Sequence, residues 1–342
     1  MSVSDGSPDA LPHAWTALCN PAAGRGRART RLPRVVEALG AVRDGRGLDI
    51  EVVVTASADD LVARARAAFA GGRGVVACGG DGTVCALAGV AAEAAGVLAV
   101  VPAGSGNDFA RHLGVPRDDI DAAVALLVDE SPRSPGGGEV VRVDLGRAVT
   151  ADGTTRWFTT VANTGFDAEA NRWANTVESV SGTPLYVAAT LRTLAVYRPQ
   201  RFRITVDDHT EAVEAWLVAV GNTRSYASGM AITPHASLRD GALDVCVVGP
   251  VSRTEFLTTF PKVFSGEHVD HPQVRTWRGE RVVIERGGTD RGTDRGTDRG
   301  TDRGALGLEL WASGEHLGPL PATLTPAPDA LRVVVPRGTT IQ

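Results

Sequence analysis

Three short stretches hold the residues best suited to chemistry: "NPAAGRG" at 20–26, "GGDGT" at 79–83 and "PAGSGNDFAR" at 102–111. Each sets glycine or alanine beside hydroxyl, amide or acidic side chains. Glycine lets an anion approach bare backbone N–H groups closely. Each stretch also runs into a helical pattern, whose first-turn amides attract negative charge. One such turn reads like many tight turns; three of them at one sheet edge describe a crevice for phosphate. Asp81, at the centre of the second stretch, poses the problem, because a carboxylate repels phosphate.

The familiar nucleotide motifs are missing. No GxxxxGK[ST] loop occurs, and the one lysine of the chain, Lys262, lies in no strand that could serve a protein kinase. The nearest approach to GxGxxG, "GRGRAR" from Gly24, ends in arginine.

The elements that must hold these stretches alternate. "WTALC", "LDIEVVVT", "GVVAC" and "VLAVV" read as strands. Helices are expected over 28–43, from Ser57 onward, over 83–95, near 107–113 and over 118–129. Ser57 with Asp60 has capping-box spacing, and Leu61, Val62, Ala65 and Phe69 give that helix its apolar face. Alternation predicts a parallel sheet with crossover helices, whose ligands bind beyond the strands' carboxyl ends, where all three stretches fall. After Pro132 the pattern changes to strands and turns: "EVVRVDLGRAV", "RWFTTVANTGF", "RFRITVDD", "EAWLVAVGN", "GALDVCVVG", "RVVIER" and "LGLELWA". One helical stretch, 184–197, interrupts them. This predicts an α/β N-terminal domain at 12–135 and a mostly antiparallel β domain at 136–325. A C-terminal strand segment at 326–342 could belong to either domain, including by packing back on the first. Four GTDR copies begin at 288, and the loop at 288–304 has no apolar residue to bury, so it reads as a disordered expansion.

With 342 residues, 43% hydrophobic and 22% charged, the chain fits two soluble globular domains. A formal net charge of −5 argues against nucleic-acid binding as the main task. The four cysteines lie singly in apolar stretches and are expected as reduced thiols; the close pair His268 and His271 lacks companion metal ligands. No long apolar run or leader pattern occurs, so a cytoplasmic protein is expected, peripheral at the inner membrane face.

"NPAAGRGRA", "GGDGT" and "PAGSGNDFAR" resemble the nucleotide-binding motifs of the diacylglycerol kinase catalytic-domain family, which includes bacterial soluble lipid kinases and sphingosine kinases. "NTGFDAEANR", "GNTRSYASGMAITPHASLRDGALDV" and "SGEHLGPLPATLTPAPDALRVVVP" extend the resemblance over nearly the whole chain. It implies a phosphofructokinase- or NAD kinase-like first domain, a β-rich second domain and an ATP site between them. Asn20, Thr55, Gly79, Gly80, Asp81, Gly82, Thr83, Val84, Gly104 and Ser105 are the implied nucleotide positions, with Asn107 and Asp108 fixing loop and helix start. Ser105 stands where relatives usually carry threonine. ATP brings Mg²⁺, and Asp81 then has a partner: the cation that bridges the phosphates.

The resemblance also implies a general base. The family's Asp-Gly-Glu stretch matches Ser313, Gly314 and Glu315, so Glu315 is the candidate and the aspartate is lost. Cys85 and Ala86 replace the Asn-Glu that many relatives carry after the glycine turn, which weakens a NAD kinase reading. Asp240, in "LRDGALDV", is the implied ligand of a structural or regulatory Mg²⁺; a type I turn would explain it equally. Arg25 and Arg111 border the phosphate loops. The expected partners are ATP and a lipid at the membrane surface, with a homodimer left open. Helix 184–197 and "FLTTFPKVF" (256–264) could line a greasy cleft or form plain core. Two alternatives stay open: a nucleotide- or lipid-binding protein impaired in catalysis, and a kinase of a soluble acceptor.

Overall fold

The computed structural model describes residues 10–24, 26–128, 136–170, 192–194, 196–287 and 308–341. Arg25, the GTDR loop and most of the expected helix 184–197 lie outside the described residues. In the first domain, β1 (Ala14–Cys19), β2 (Asp49–Val54), β3 (Gly74–Gly79) and β4 (Val97–Pro102) pair in parallel in the order β2-β1-β3-β4. β3 and β4 are buried at every position, as strands covered on both faces must be. The covering helices are α1 (Arg27–Arg46), α2 (Ala58–Ala70) and α3 (Asp81–Ala94), followed by the short α4 (Asp108–His112) and α5 (Ile120–Ala125).

Local signals place most of these ends. Ser57 Oγ accepts the N–H of Asp60, but the Asp60 carboxylate reaches back to Ala56 N rather than to Ser57, so the box is only half closed. The third helix starts two residues earlier than expected: Gly80 is its N-cap and Asp81 its first residue. The carboxylate therefore stands on a helix N-terminus, not in a loop. The fifth helix is shorter than the 118–129 expected.

The second half is two packed sheets. One continues the first domain's sheet and is joined by β5 (Gly138–Thr150), β6 (Thr155–Phe158), β8 (Gln200–Val206), β9 (His209–Ala215), β13 (Val282–Arg286) and β16 (Ala322–Pro336). The other is antiparallel, in the order β12-β11-β10-β7-β14-β15: Val274–Gly279, Leu243–Val248, Leu217–Gly221, Val161–Gly165, Glu309–Ala312 and Glu315–Pro319. Phe202, Ile204, Val218, Val245, Ile284 and Leu324 belong to the core between them. Two stretches that read as single strands each break and change sheet. The chain leaves β6 at Phe158 and re-enters as β7 at Val161; it leaves β9 at Ala215 and re-enters as β10 at Leu217. Strands that turn a corner this way are how stacked sheets share a chain.

β16 bridges the halves. Its first part pairs with β13 (Val282 with Leu324), and its last part pairs in parallel with β4 (Arg332 with Val97). The register against β5 slips between Ala327 and Leu331, with Asp329 at φ 54°. Buried Asp144 holds that irregularity: its carboxylate accepts Asp329 N at 2.8 Å and Gly241 N at 2.8 Å. All four cysteines are free thiols. His268 is buried and contacts the Ile232 carbonyl at 3.1 Å, while His271 faces Glu255 at 3.2 Å, so both are structural pairs.

Candidate active site

The three glycine stretches meet at the carboxyl ends of β1, β3 and β4, and they meet glycine to glycine. A Cβ on Gly104 would lie 2.4 Å from Gly80 Cα, and one on Gly24 would lie 3.3 Å from Gly104 Cα. No residue with a side chain fits at Gly104 without moving backbone. Gly79 is equally committed, since its Cβ would strike the Thr83 side chain at 2.6 Å.

Side chains then lock the turns together. Asn20 donates through Nδ2 to Thr83 Oγ1 at 2.9 Å and accepts Ala22 N at 3.0 Å. Thr55 is buried and donates to the Cys19 carbonyl. Asn107 takes a left-handed conformation (φ 50°), and its amide clasps Gly104 through both N–H and C=O. Val84 is buried in the core beneath the turn, and Ser105 stays exposed, reached by the Arg27 guanidinium at 3.4 Å.

Asp81 is the central staple. Its Oδ2 accepts Asn107 N at 2.8 Å and its Oδ1 accepts Asp108 N at 2.6 Å. Gly106 lies so close that a Cβ there would come within 2.7 Å of Asp81 Oδ2. Burial raises the Asp81 carboxyl above the ordinary aspartate value, the nearby Asp108 charge adds to this, and the backbone N–H groups oppose it. The second and third turns are thereby tied through one carboxylate at the N-terminus of α3.

Asp108 ties the first domain to the second. It is buried, accepts Arg111 Nη1 at 2.6 Å and accepts Ser228 N at 2.9 Å from the loop after β10. His112, on the same short helix, contacts the Ser225 carbonyl and hydroxyl at 3.1 Å. Arg111 is thereby spent on a carboxylate rather than left open for phosphate.

Glu315 arrives from the other sheet. Ser313 and Gly314 both have positive φ (53° and 78°), the geometry of a two-residue hairpin turn, and they join β14 to β15. The turn puts Glu315 against the start of α3: a Cβ on Gly82 would lie 3.1 Å from Glu315 Oε1. Partial burial raises this carboxyl above its ordinary value, although the residue as a whole is open to solvent. Cys85, one turn along α3, donates to the Trp157 carbonyl at 3.4 Å, and burial pushes its thiol up to about 11, so it is neutral.

Asp240 lies elsewhere. Its carboxylate pairs with Arg278 at 2.6 Å and accepts Ala242 N at 3.1 Å. Neighbouring Asp244 has a buried Oδ2 without a partner among the described residues, and burial pushes its carboxyl up to about 6. Among the described residues, no three acidic, histidine or cysteine side chains gather as a metal cage.

A small apolar pocket of ≈ 60 Å³ opens on the outer face of the second sheet. Phe256, Phe260 and Val263 from "FLTTFPKVF" line it, together with Leu217 and Ile232, and Leu257 and Phe264 of the same segment are exposed. The segment's helix, α6 (Arg253–Thr259), carries a closed capping box between Ser252 and Glu255. Tyr226 also lines the pocket, two residues before the Ser228 amide that holds Asp108. Arg27 and Tyr226 were not singled out from sequence. Arginines at 27, 31 and 34 recur at helical spacing after the first stretch, and that period was the available signal for Arg27.

The family description "Diacylglycerol kinase catalytic domain" matches residues 14–140, and "YegS C-terminal NAD kinase beta sandwich-like domain" matches 160–335. A diacylglycerol kinase of Mycobacterium tuberculosis (strain ATCC 25618 / H37Rv) is 36% identical over 326 residues, covering 94% of this chain and 95% of that one. The "Probable lipid kinase YegS-like" of Chromohalobacter salexigens is 33% identical over 224 residues, 64% of this chain and 67% of that one. In fold, the chain is similar to the crystal structure of a diacylglycerol kinase from Bacillus anthracis str. Sterne, with a TM-score of 0.68, 24% identity, and coverage of 97% and 100%. No helix among the described residues is long and apolar enough to cross a membrane.

Proposed function

Because this chain belongs to the diacylglycerol kinase catalytic-domain family, whose members named above are lipid kinases, we propose that it transfers the γ-phosphate of ATP, with Mg²⁺, to a hydroxyl of a diacylglycerol-like lipid. The observation that carries this reading is the position of Glu315. A carboxylate with a raised pKa, delivered by a separate hairpin, rests against Gly82 at the mouth of a triple glycine cradle.

In this reading the glycine turns and the first-turn amides of α3 receive the phosphate oxygens, since those N–H groups have no intrahelical acceptor. Asn20, Thr55, Thr83, Asn107 and Asp108 hold the turns at fixed spacing, and Ser105 with Arg27 offers the nucleotide a hydroxyl and a positive charge. Glu315 takes the proton of the acceptor hydroxyl as its oxygen bonds to the γ-phosphorus and the bond to the β-phosphate oxygen breaks. A base whose pKa is raised toward the working pH is the more effective for it.

The donor set at Asp81 fits Mg²⁺, which is usually held by one or two carboxylates together with phosphate oxygens and water, not by a protein cage. When bound there, the ion would neutralise phosphate charge. Asp240 fits a cation poorly, because Arg278 already neutralises it. The lipid acceptor is supported by the apolar pocket, whose Tyr226 belongs to the loop that grips Asp108. Cys85 supports it too, being neutral and bonded to a carbonyl where a nucleotide acceptor would want polar side chains.

The test is incubation of the purified chain with γ-labelled ATP, Mg²⁺ and a total lipid extract, followed by identification of the labelled product. Label in a phosphorylated glycerolipid is expected. Label only in water-soluble products, with turnover indifferent to vesicles and detergent, would replace the lipid by a soluble acceptor.

A further inference from the structure

Beside the Ser105 turn lies a second concavity, which shares Arg27 and Ser105 with the proposed nucleotide site and extends past them to residues that site does not use. It has a volume of ≈ 330 Å³ and is polar, lined by Arg27, Thr30 and Arg31 of α1, by Ser105, its neighbouring glycines and Asn107, and by Arg117 and Asp118. Three guanidinium groups face one carboxylate. Arg31 and Arg117 are half-buried, yet no ion pair among the described residues uses either of them or Arg27. The Arg31 guanidinium reaches only the Pro102 and Arg117 carbonyls, each at 3.4 Å. Arg34, one turn further along the same helix, shows the contrast: it is paired with both Glu37 and Asp121.

Partly desolvated arginines without a carboxylate are costly unless an anion completes them, and the planar guanidinium matches a phosphate group through paired N–H donors. We infer that this pocket is an anion site for a phosphate monoester, centred on Arg31 and Arg117 and adjoining the nucleotide cleft at the Gly104–Asn107 turn. That turn is thin. Gly106 lines the pocket and also lies against Asp81, so a phosphate held by Arg31 and Arg117 would brace the turn from behind. The inference rests on the kinase reading only for what lies on the other side of the turn.

Two sources share this chemistry, soluble phosphate and a lipid headgroup that ends in a phosphate monoester. The experiment uses the full chain and the double variant Arg31→Gln/Arg117→Gln, with melting in phosphate-free buffer as the folding control. Inorganic phosphate is titrated calorimetrically with and without a saturating non-hydrolysable ATP analogue. In parallel, the protein is sedimented with vesicles of phosphatidic acid in phosphatidylcholine and of phosphatidylcholine alone. Wild type is expected to bind phosphate with the analogue present, or to prefer phosphatidic acid vesicles, and the double variant to bind about tenfold more weakly. The arm that responds identifies the source. The ATP KM of the variant is expected to stay within about twofold, whereas the kinase reading itself is judged by product labelling. Binding to neither probe would overturn the inference. So would phosphate displaced by the analogue, or an ATP KM raised about tenfold in the variant, either of which would make the pocket part of the nucleotide cleft.

Discussion

The two regions to which the proposed function assigns phosphate and acceptor are built from different materials. The phosphate side is backbone: glycines in contact across three turns, held by side chains that point at amides and carbonyls rather than at open space. The side proposed for the acceptor is side chains: a carboxylate on a hairpin and an apolar pocket drawn from β10, β11, β12, α6 and the loop at 226–232. Backbone chemistry tolerates few residue types, because one Cβ closes the space. An apolar wall tolerates many, because burial scales with area more than with identity. The phosphate side should therefore fail sharply when altered, and the acceptor side by degrees.

The sharpest test crosses between the two. Glu315→Gln keeps the shape and removes the base, so turnover should fall by roughly 100-fold or more with ATP affinity nearly unchanged, read by steady-state kinetics and nucleotide titration. Wild-type turnover should also fall on the acid side, as Glu315 protonates, through a midpoint above the ordinary glutamate value of 4.5, since burial raises it. An acid limb at or below that value, or a variant with near-normal turnover, would remove Glu315 from the chemistry.

Next in size is Gly104→Ala. Its methyl would stand 2.4 Å from Gly80 Cα, so backbone must move. The ATP KM should rise about tenfold or more, with a loss of about 1–3 kcal/mol in stability by denaturant titration. An unchanged KM would mean that the packed glycines serve the fold alone.

Phe256→Ala probes the other wall. Phe256 packs on Phe166 and Trp216 with ring centres 4.9 and 5.3 Å apart. Its loss should raise the KM for lipid several-fold in mixed micelles and leave the KM for ATP alone, at a cost of about 2 kcal/mol in stability. A matched rise in both constants would blur the division between backbone and side-chain walls.

The smallest effect lies outside the cleft. Asp244 is raised to about 6 from 3.8, so its folded form prefers the proton. The stability that this preference contributes is complete below about 3.8 and is lost as pH rises through about 6. Asp244→Asn should therefore stabilise the protein near neutral pH, by roughly 1 kcal/mol once solvent screening is allowed for, and should change little at pH near 4. Destabilisation at neutral pH would indicate that the carboxylate is needed charged, as a cation ligand would be.

The phosphate side was legible in sequence because each of its requirements leaves a mark. Glycine marks a close approach, and Asn107, Asp81 and Thr83 mark turns that must be tied. Even there the third helix begins at Asp81 rather than at the expected residue 83. A glycine-flanked acid looks like a loop residue, and only the third dimension makes it the first residue of a helix stapled to a turn 26 residues away. The acceptor side left less trace. Phe256 and Phe260 have the same periodicity whether they fill a core or line a pocket, and Tyr226 became informative only once its loop was seen to hold Asp108. Breaks such as Ala215 to Leu217 are silent too, since an apolar run shows no sign of which sheet each half joins.

By itself the sequence determined the parallel sheet and the three turns at its edge, because alternation and glycine placement are short-range consequences of backbone sterics. Only the tertiary structure decided that Glu315 meets Gly82, that β16 serves both halves, and that Arg31 and Arg117 stand without a counter-ion among the described residues. Those facts depend on long-range pairing, and nothing in the spacing of residues along a chain records which distant charges or strands will be brought together.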